Sequence, residues 1–382
     1  MAEAYIVEAV RTAGGRRKGA LAGVHPADLG ATVLNALVAR SGIDAARIED
    51  VIMGCVTQGG EQAFAFGRNC VLASRLPDSV PAVTVDRQCG SSQQAVQFAA
   101  QAVMSGMQEV VIAAGCESMT RVPMFSNIHA YAKAGIGEGP IAPSIQQRYG
   151  VPEFNQFHGA QAIADRYGFT RSDMDEFAFA SHRKAASAIE AGAFAGQIVP
   201  VGDFAQDEGV RFDSSLEKLA TLEPILPGGT ITPGNASQMT DGASGVLVVS
   251  ERALKEHGLT PIARLHHMSV SAGDPVIMLE EPIRATRLAL ARAGMTLGQI
   301  DLYEVNEAFA SIPMAWAKTL DADPARLNIH GGAVALGHPL GASGTRLLTT
   351  LIHALRTRGL RYGLQTMCEG GGMANVTIVE AL

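Results

Sequence analysis

Five cysteines stand in the sequence, and Cys89 has neighbours that could make it react. It follows an apolar β-like run, Ala82-Val83-Thr84-Val85, and precedes Ala95, Val96, Phe98, Ala99, Ala102 and Val103, which recur at helical spacing. The pattern predicts a strand handing over to a helix at Cys89, with Gly90-Ser91-Ser92 as the tight turn and helix start. Unpaired N–H groups there carry partial positive charge and favour a thiolate. A buried, inert cysteine at a strand end is the plainer alternative, and three later stretches weigh against it.

The first is NIHGGAVALGHPLGASG, residues 328–344, which holds His338 between Gly337 and Pro339. Glycine permits unusual dihedrals and close approach to a ligand, and proline fixes its own φ. A lone histidine is more often structural, but one locked in such a loop suits an acid/base or oxyanion role. The second is TMCEGGGMA, residues 366–374, where Cys368 ends a strand and meets Gly370, Gly371 and Gly372. It is either a hairpin with an incidental thiol or a second reactive cysteine, with glycine N–H groups facing a developing negative charge. The third, EVNEAFA, sets Asn306, Glu307 and Phe309 at a strand–helix junction, where Asn306 either caps the helix or holds a water and polarises a carbonyl.

These residues need rigid elements to hold them. Strand-like runs at 4–10, 51–56, 82–85 and 109–114 alternate with helical patterns at 28–40, 68–74 and after Cys89. The alternation implies a mainly parallel sheet covered by helices on its faces. Residues 120–241 are richer in proline, glycine and polar residues, with helices expected at 159–167 and 171–191 and a long irregular passage at 226–245. That segment reads as an insertion covering a site. The last third echoes the pattern of the first. It offers a strand near 262, helix 282–293, strand then helix from 301, a glycine loop before a helix from 345, and two strands joined by a glycine turn.

Composition narrows the function. At 382 residues, 47% hydrophobic and 18% charged, the chain suits a globular enzyme with domain-sized cores. A net charge of −7 argues against general nucleic-acid binding. Arg11 with Arg16, Arg17 and Lys18 forms a local basic exception, read as a solvated loop or a small anion-contacting patch. No apolar run reaches the ~18–20 residues of a membrane span, and the start lacks a signal-peptide pattern, so the expected location is cytoplasmic. No cysteine–histidine grouping has zinc spacing, so no metal site is expected.

Taken together, DRQCGSSQQAV around Cys89, GNAS at 234–237, NEAFA at 306–310, GGAVALGHPLGASG at 331–344 and CEGGG at 368–372 resemble the thiolase family. VEAVRTAGG near the start and GCESM at 115–119 resemble thiolase segments too, so the likeness spans almost the whole chain. It implies an α/β thiolase-like fold: two similar βαβαβ halves stacked as α-β-α-β-α layers with an inserted loop domain. The halves would be 1–119 (completed by 242–262) and 263–382, with 120–241 as a lid over the coenzyme A site. By resemblance Cys89 is the acyl-carrying nucleophile, His338 its base, and Cys368 the second acid/base. Oxyanions would be bound by His338 with a water on Asn306, and by the N–H groups of Cys89 and Gly370. The likeness assigns Arg211, Ser237, Ala236 and His158 to coenzyme A, and Met278 and Phe309 to the acyl pocket. Coenzyme A would act as co-substrate, with no tightly bound cofactor, in a homodimer or homotetramer.

Some positions depart from the common pattern: Asp86 before the nucleophile, Glu369, Met373 and Ala374 in the last motif, FHGAQAIAD for M-G-x-x-A-E, and LEEP after Met278. They point to a 3-ketoacyl-CoA bulkier than acetoacetyl-CoA, long-chain or ring-bearing as in steroid side-chain breakdown. The alternatives are a biosynthetic acetoacetyl-CoA thiolase, a ketosynthase, or a non-catalytic acyl-CoA- or lipid-binding protein. Ketosynthases typically pair their cysteine with two histidines, and Cys368 stands where the second would be; a non-catalytic protein should have lost a reactive residue.

Overall fold

A computed structural model describes residues 2–382. The first half supplies β1 (Ala4–Thr12), β2 (Gly15–Arg16), α1 (Pro26–Ser41), β3 (Asp50–Gly54), α2 (Phe66–Ala73), β4 (Ala82–Val85), α3 (Ser91–Met104) and β5 (Val110–Ser118). The middle holds α4 (Ser126–Lys133), α5 (Pro143–Tyr149), α6 (Gln156–Tyr167), α7 (Arg171–Glu190), β6 (Ile198–Val199) and α8 (Leu216–Ala220). Then come β7 (Thr240–Ser250), α9 (Glu251–His257), β8 (Ala263–Ala272), α10 (Glu281–Ala293), β9 (Leu302–Val305), α11 (Ser311–Leu320), α12 (Ala333–Leu336), α13 (Ser343–Arg358), β10 (Tyr362–Glu369) and β11 (Met373–Ala381).

The strands run β4-β3-β5-β7-β1-β8-β11-β10-β9 in space, so the second half repeats the order of the first in mirror sequence. The halves join through a short antiparallel contact, Tyr5 opposite Arg264 and Ile6 opposite Ala263. β5 and β7 are buried along their whole length, as expected of strands covered on both faces. α1 and α2 pack on one outer side and α10 and α11 on the other. Between the strand layers lie α3 and α13, which touch each other and strands of both halves. The five layers implied by the resemblance are therefore present.

The two central helices carry polar residues yet are buried nearly all round, and most of those residues find partners inside the protein. Gln93 donates to Thr377 Oγ1 at 2.9 Å, Gln97 to the Val376 carbonyl at 3.1 Å, and the Thr345 amide to Ser92 Oγ at 3.0 Å. The helices approach so closely that a Cβ at Gly344 would lie 2.1 Å from the Gln93 nitrogen. Glycine is the one residue that fits there.

The middle segment holds more order than its composition suggested. Besides α6 and α7 it forms the short helices α4, α5 and α8, and its passage 226–245 turns into β7 at Thr240. Arg11 is also not part of a solvated loop. It is wholly buried and forms a two-pronged ion pair with Asp207 at 2.7 and 2.9 Å, tying the middle segment to the end of β1.

Candidate active site

Two loops and two strand ends converge at the N-termini of α3 and α13. Cys89 follows a strained turn in which Gln88 takes a left-handed φ of 49°, and Gly90 caps α3. The Arg87 amide donates to Ser91 Oγ at 2.9 Å, and Ser91 Oγ donates to the Gln88 carbonyl at 2.6 Å, which closes the turn. Cys89 is buried against Met119, Leu340, Leu347 and Met367. Cys368, at the end of β10, is buried too, and charge on Cys89 opposes its ionisation.

His338 is buried on a loop fixed from several sides. Its amide donates to the Gln238 carbonyl at 2.9 Å and to Thr240 Oγ1 at 3.2 Å. Gly337, at φ +86°, lies so close to Thr240 Oγ1 that a Cβ would come within 1.9 Å. The ring is wired at both nitrogens. Ser343 Oγ gives its proton to the Pro339 carbonyl at 2.8 Å, so it accepts from His338 Nδ1. Nε2 is thereby left as acceptor, 3.3 Å from the Asn306 amide nitrogen. Burial, aided by the Arg346 guanidinium, pushes the imidazole down to about 3, so it is neutral at physiological pH. Asn306 Oδ1 is buried without a protein partner.

The thiolate expected from the helix start is not favoured at rest. Burial first, then the neighbouring Glu369 charge, push the Cys89 thiol up to about 12. Desolvation outweighs the attraction of the α3 terminus. The resting pair is a thiol and a neutral base.

Buried carboxyls to which the sequence reading gave no role hold these loops. Glu117, ending β5, accepts from the amides of Val56 at 2.8 Å, Thr57 at 2.9 Å and Gly341 at 2.9 Å, and from Gln62 at 3.0 Å. It thus ties the first half to the His338 loop. Glu307 accepts from Ser181 Oγ at 2.7 Å, Asn328 at 2.9 Å and the Val334 amide at 3.2 Å. Burial raises both carboxyls above the usual range. His182, lowered to about 4 by burial and by Arg211, accepts the Arg211 amide at 3.1 Å. The only local sign of these roles was that GCES and NEAFA each carry an acid at a strand end.

Met119 and Leu340, which pack with Cys89, line a cleft of about 950 Å³ that neither Cys89 nor Cys368 lines. Met119, Met124, Phe157, Ile225, Phe309, Leu340 and His338 line its apolar part, and Arg16, Arg17, Arg211, Glu208 and Asp213 its charged part. Ala236 and Ser237 line it as well, and the Ser237 amide donates to the Ala308 carbonyl at 2.9 Å, which joins GNAS to NEAFA. Gly370 follows Cys368 and packs on the Cys89 turn, where a Cβ would lie 2.8 Å from Gln88 Oε1. Two expected residues lie elsewhere. His158 lines a separate pocket of about 430 Å³ with Gln161, Asp165 and residues 226–229, because one further helical step turns it away from Phe157. Met278, at φ 61°, is buried in the core with Ala236 and Phe309 and does not line the cleft.

This is an α/β protein of two matched halves in which the Cys89 turn, the end of β10 with Cys368 and the His338 loop come together beside a cleft partly lined by arginines. Residues 4–252 match the thiolase N-terminal domain and residues 259–381 the thiolase C-terminal domain. The chain belongs to the thiolase family. Over its full length it is 52% identical to the steroid 3-ketoacyl-CoA thiolase FadA6 of Mycobacterium tuberculosis, of which it covers 95%. It is 40% identical to the acetyl-CoA acetyltransferase of Escherichia coli, with both chains fully covered. A crystal structure of the Bacillus anthracis acetyl-CoA acetyltransferase superposes with a TM-score of 0.91 at 37% identity, covering 100% of this chain and 99% of that one.

Proposed function

We propose that the protein cleaves a 3-ketoacyl-CoA with free coenzyme A, giving acetyl-CoA or propionyl-CoA and a shortened acyl-CoA. The observation carrying this reading is the wiring of His338: a neutral ring with Nδ1 bonded to Ser343 and Nε2 left as an acceptor facing Asn306, in a region with two buried thiols. The Cys89 proton passes to Nε2 as sulfur attacks the 3-keto carbon. The bond between C2 and C3 then breaks, and the enolate of the departing acyl-CoA takes a proton from Cys368. A coenzyme A thiol then gives its proton to the Cys368 thiolate and attacks the thioester carbonyl, and the departing Cys89 sulfur takes its proton back from His338. Asn306 with His338, and the amides of Cys89 and Gly370, would stabilise the oxygen charge that develops in each half-reaction.

Coenzyme A would lie in the cleft as co-substrate, with no resident cofactor. Arg16, Arg17 and Arg211 offer charge to its phosphates, and Ser237 and Ala236 flank its arm. In this reading the 120–241 segment is the lid. The substrate is bulkier than acetoacetyl-CoA, which the apolar cleft wall supports, as does the higher identity to the steroid thiolase than to the acetyltransferases. A cytoplasmic location is proposed on the sequence pattern alone. No helix among the described residues is long and apolar enough to cross a membrane. A homodimer or homotetramer is proposed, for which the edge strand β4, with Val83 47% exposed, offers a free surface.

The test is the loss of 3-ketoacyl-CoA absorbance on adding coenzyme A, with acetoacetyl-CoA and a ring-bearing ketoacyl-CoA side by side. Faster turnover of the bulky substrate, abolished in Cys89→Ala, is expected. Equal or better turnover of acetoacetyl-CoA would point to the acetyl-CoA-condensing enzyme, and no cleavage of either would overturn the proposal.

A further inference from the structure

Arg346 lies in the first turn of α13, one turn after the Ser343 that holds His338 Nδ1. It is buried, and burial lowers its guanidinium only to about 10, so it stays charged at physiological pH. Nη2 donates at 3.1 Å to the carbonyl of Gly337, the residue before His338, while Nε is buried without a partner. The acids around it are engaged or neutral. Asp207 is paired with Arg11, and Glu307 already accepts from Ser181, Asn328 and the Val334 amide. Glu304, raised to about 8 by burial, is uncharged at the same pH. A cation here is out of water, poorly compensated, and placed at the helix end whose dipole favours anions. A methionine would fill the same length without those costs. A charge kept under such conditions beside the His338 loop calls for a role.

We propose that Arg346 is a positioning residue for the base: its guanidinium clamps the carbonyl of the Gly337–His338 peptide and so fixes where the imidazole stands. This rests on His338 being the base of the proposed reaction. A peptide unit is planar, and this one is held at both ends. Arg346 takes its oxygen, and its N–H donates to the Gln238 carbonyl at 2.9 Å and to Thr240 Oγ1 at 3.2 Å. His338 Cα belongs to that plane, so the clamp sets the point from which the ring projects. Residues 343 and 346 share one face of α13. A single helical turn therefore holds His338 twice, through Ser343 at ring Nδ1 and through Arg346 at the backbone. Gly337, at φ +86°, is a hinge with no side chain of its own to resist rotation. Without a hold on its carbonyl, the peptide can turn and carry the ring away from Asn306. A charged donor in a dry interior makes a stronger bond than a neutral one, which is what a glycine hinge requires.

The experiment compares Arg346→Met, which keeps the length and removes the donor, with Arg346→Lys, which keeps a charged donor. One readout is kcat and KM for coenzyme A-dependent cleavage. The other is the nitrogen NMR spectrum of the His338 ring in the unliganded, histidine-labelled protein, with its signal identified by its loss in His338→Ala. Arg346→Met should lower kcat about tenfold or more with KM within about twofold of wild type. Its ring signal should show both tautomers, where wild type carries the proton on Nδ1 alone. Arg346→Lys should recover most of kcat and the single tautomer. Arg346→Gln, neutral and too short to reach the Gly337 carbonyl, takes the place of the methionine variant if that one does not fold. Wild-type kcat or an unchanged ring signal in Arg346→Met would overturn the proposal, as would a lysine variant that loses as much as the methionine one. The ring spectrum does not depend on turnover: a changed signal in a protein that cleaves no ketoacyl-CoA would sink the thiolase reading and leave the clamp standing.

Discussion

In the first half the chain passes from β4 to α3 through the short turn 86–90, and Cys89 rides at the helix start. In the second half the corresponding strand has shrunk to a single bridge, Leu327 opposite Tyr303, and residues 328–342 intervene before α13. The short connection stores its constraint in backbone geometry, with Gln88 left-handed and Gly90 pressed on Glu369. The long one has left-handed residues too, Asn328 at φ 43° and Gly337 at φ 86°, but over its greater length buried side chains add further ties: Glu307 from β9's end, Glu117 from the other half, Gln238 from the middle segment. A residue on a short turn can be fixed by its backbone, whereas one on a long loop is tied down by partners distant in sequence.

That contrast can be broken at several points. The largest effect is expected from the reacting groups: Cys89→Ala and His338→Ala should each lower the rate of coenzyme A-dependent cleavage by about a thousandfold or more, with melting temperatures little changed. Glu307→Ala comes next. It leaves Asn328, Ser181 and the Val334 amide without their acceptor, and should cost about 3 kcal/mol in urea unfolding; a matching loss is not expected from changes within the 86–90 turn. Ser343→Ala frees the imidazole to change tautomer and should lower kcat about tenfold or more with KM and stability nearly unchanged. If kcat holds, the wiring of Nδ1 is not what makes Nε2 the base.

A further effect is read in the pH dependence and concerns Glu304, buried in β9. Burial raises Glu304 to about 8, above the ordinary carboxylate value of 4.5. The folded protein therefore keeps a proton that the unfolded chain has lost. Its stabilising contribution is complete below about 4.5 and disappears as pH rises through 8. Relative to Glu304→Gln, wild type should lose stability between pH 5 and pH 8 in parallel thermal melts; a constant difference across that range would show that Glu304 is ionised in the fold.

The sequence displayed Cys89, Asn306, His338 and Cys368 because each sits in a local pattern of glycines or at a change of periodicity. It did not display Glu117, Glu307 or His182 as loop ties, since their partners lie far along the chain: Gly341 is 224 positions from Glu117. Nor could helical spacing show that α3 and α13 are enclosed on all sides, because their serines, threonines and glutamines look like solvent-facing residues until their bonds are seen. The thiolate expectation failed for a related reason. A helix terminus is visible in the sequence, but the depth at which it is buried is not. His158 and Met278 were matched by position, and the side-chain direction that excludes them from the cleft depends on local helix phase and a left-handed turn.

β1 lies in the middle of the sheet, between β7 and β8. Of the strands described it is synthesised first, yet β7 is complete only at residue 250 and β8 at residue 272. For most of translation the nascent chain holds a strongly apolar strand with two open edges, a form prone to aggregation. Production of this enzyme should therefore depend on chaperone supply and translation speed far more than the compactness of the finished molecule suggests.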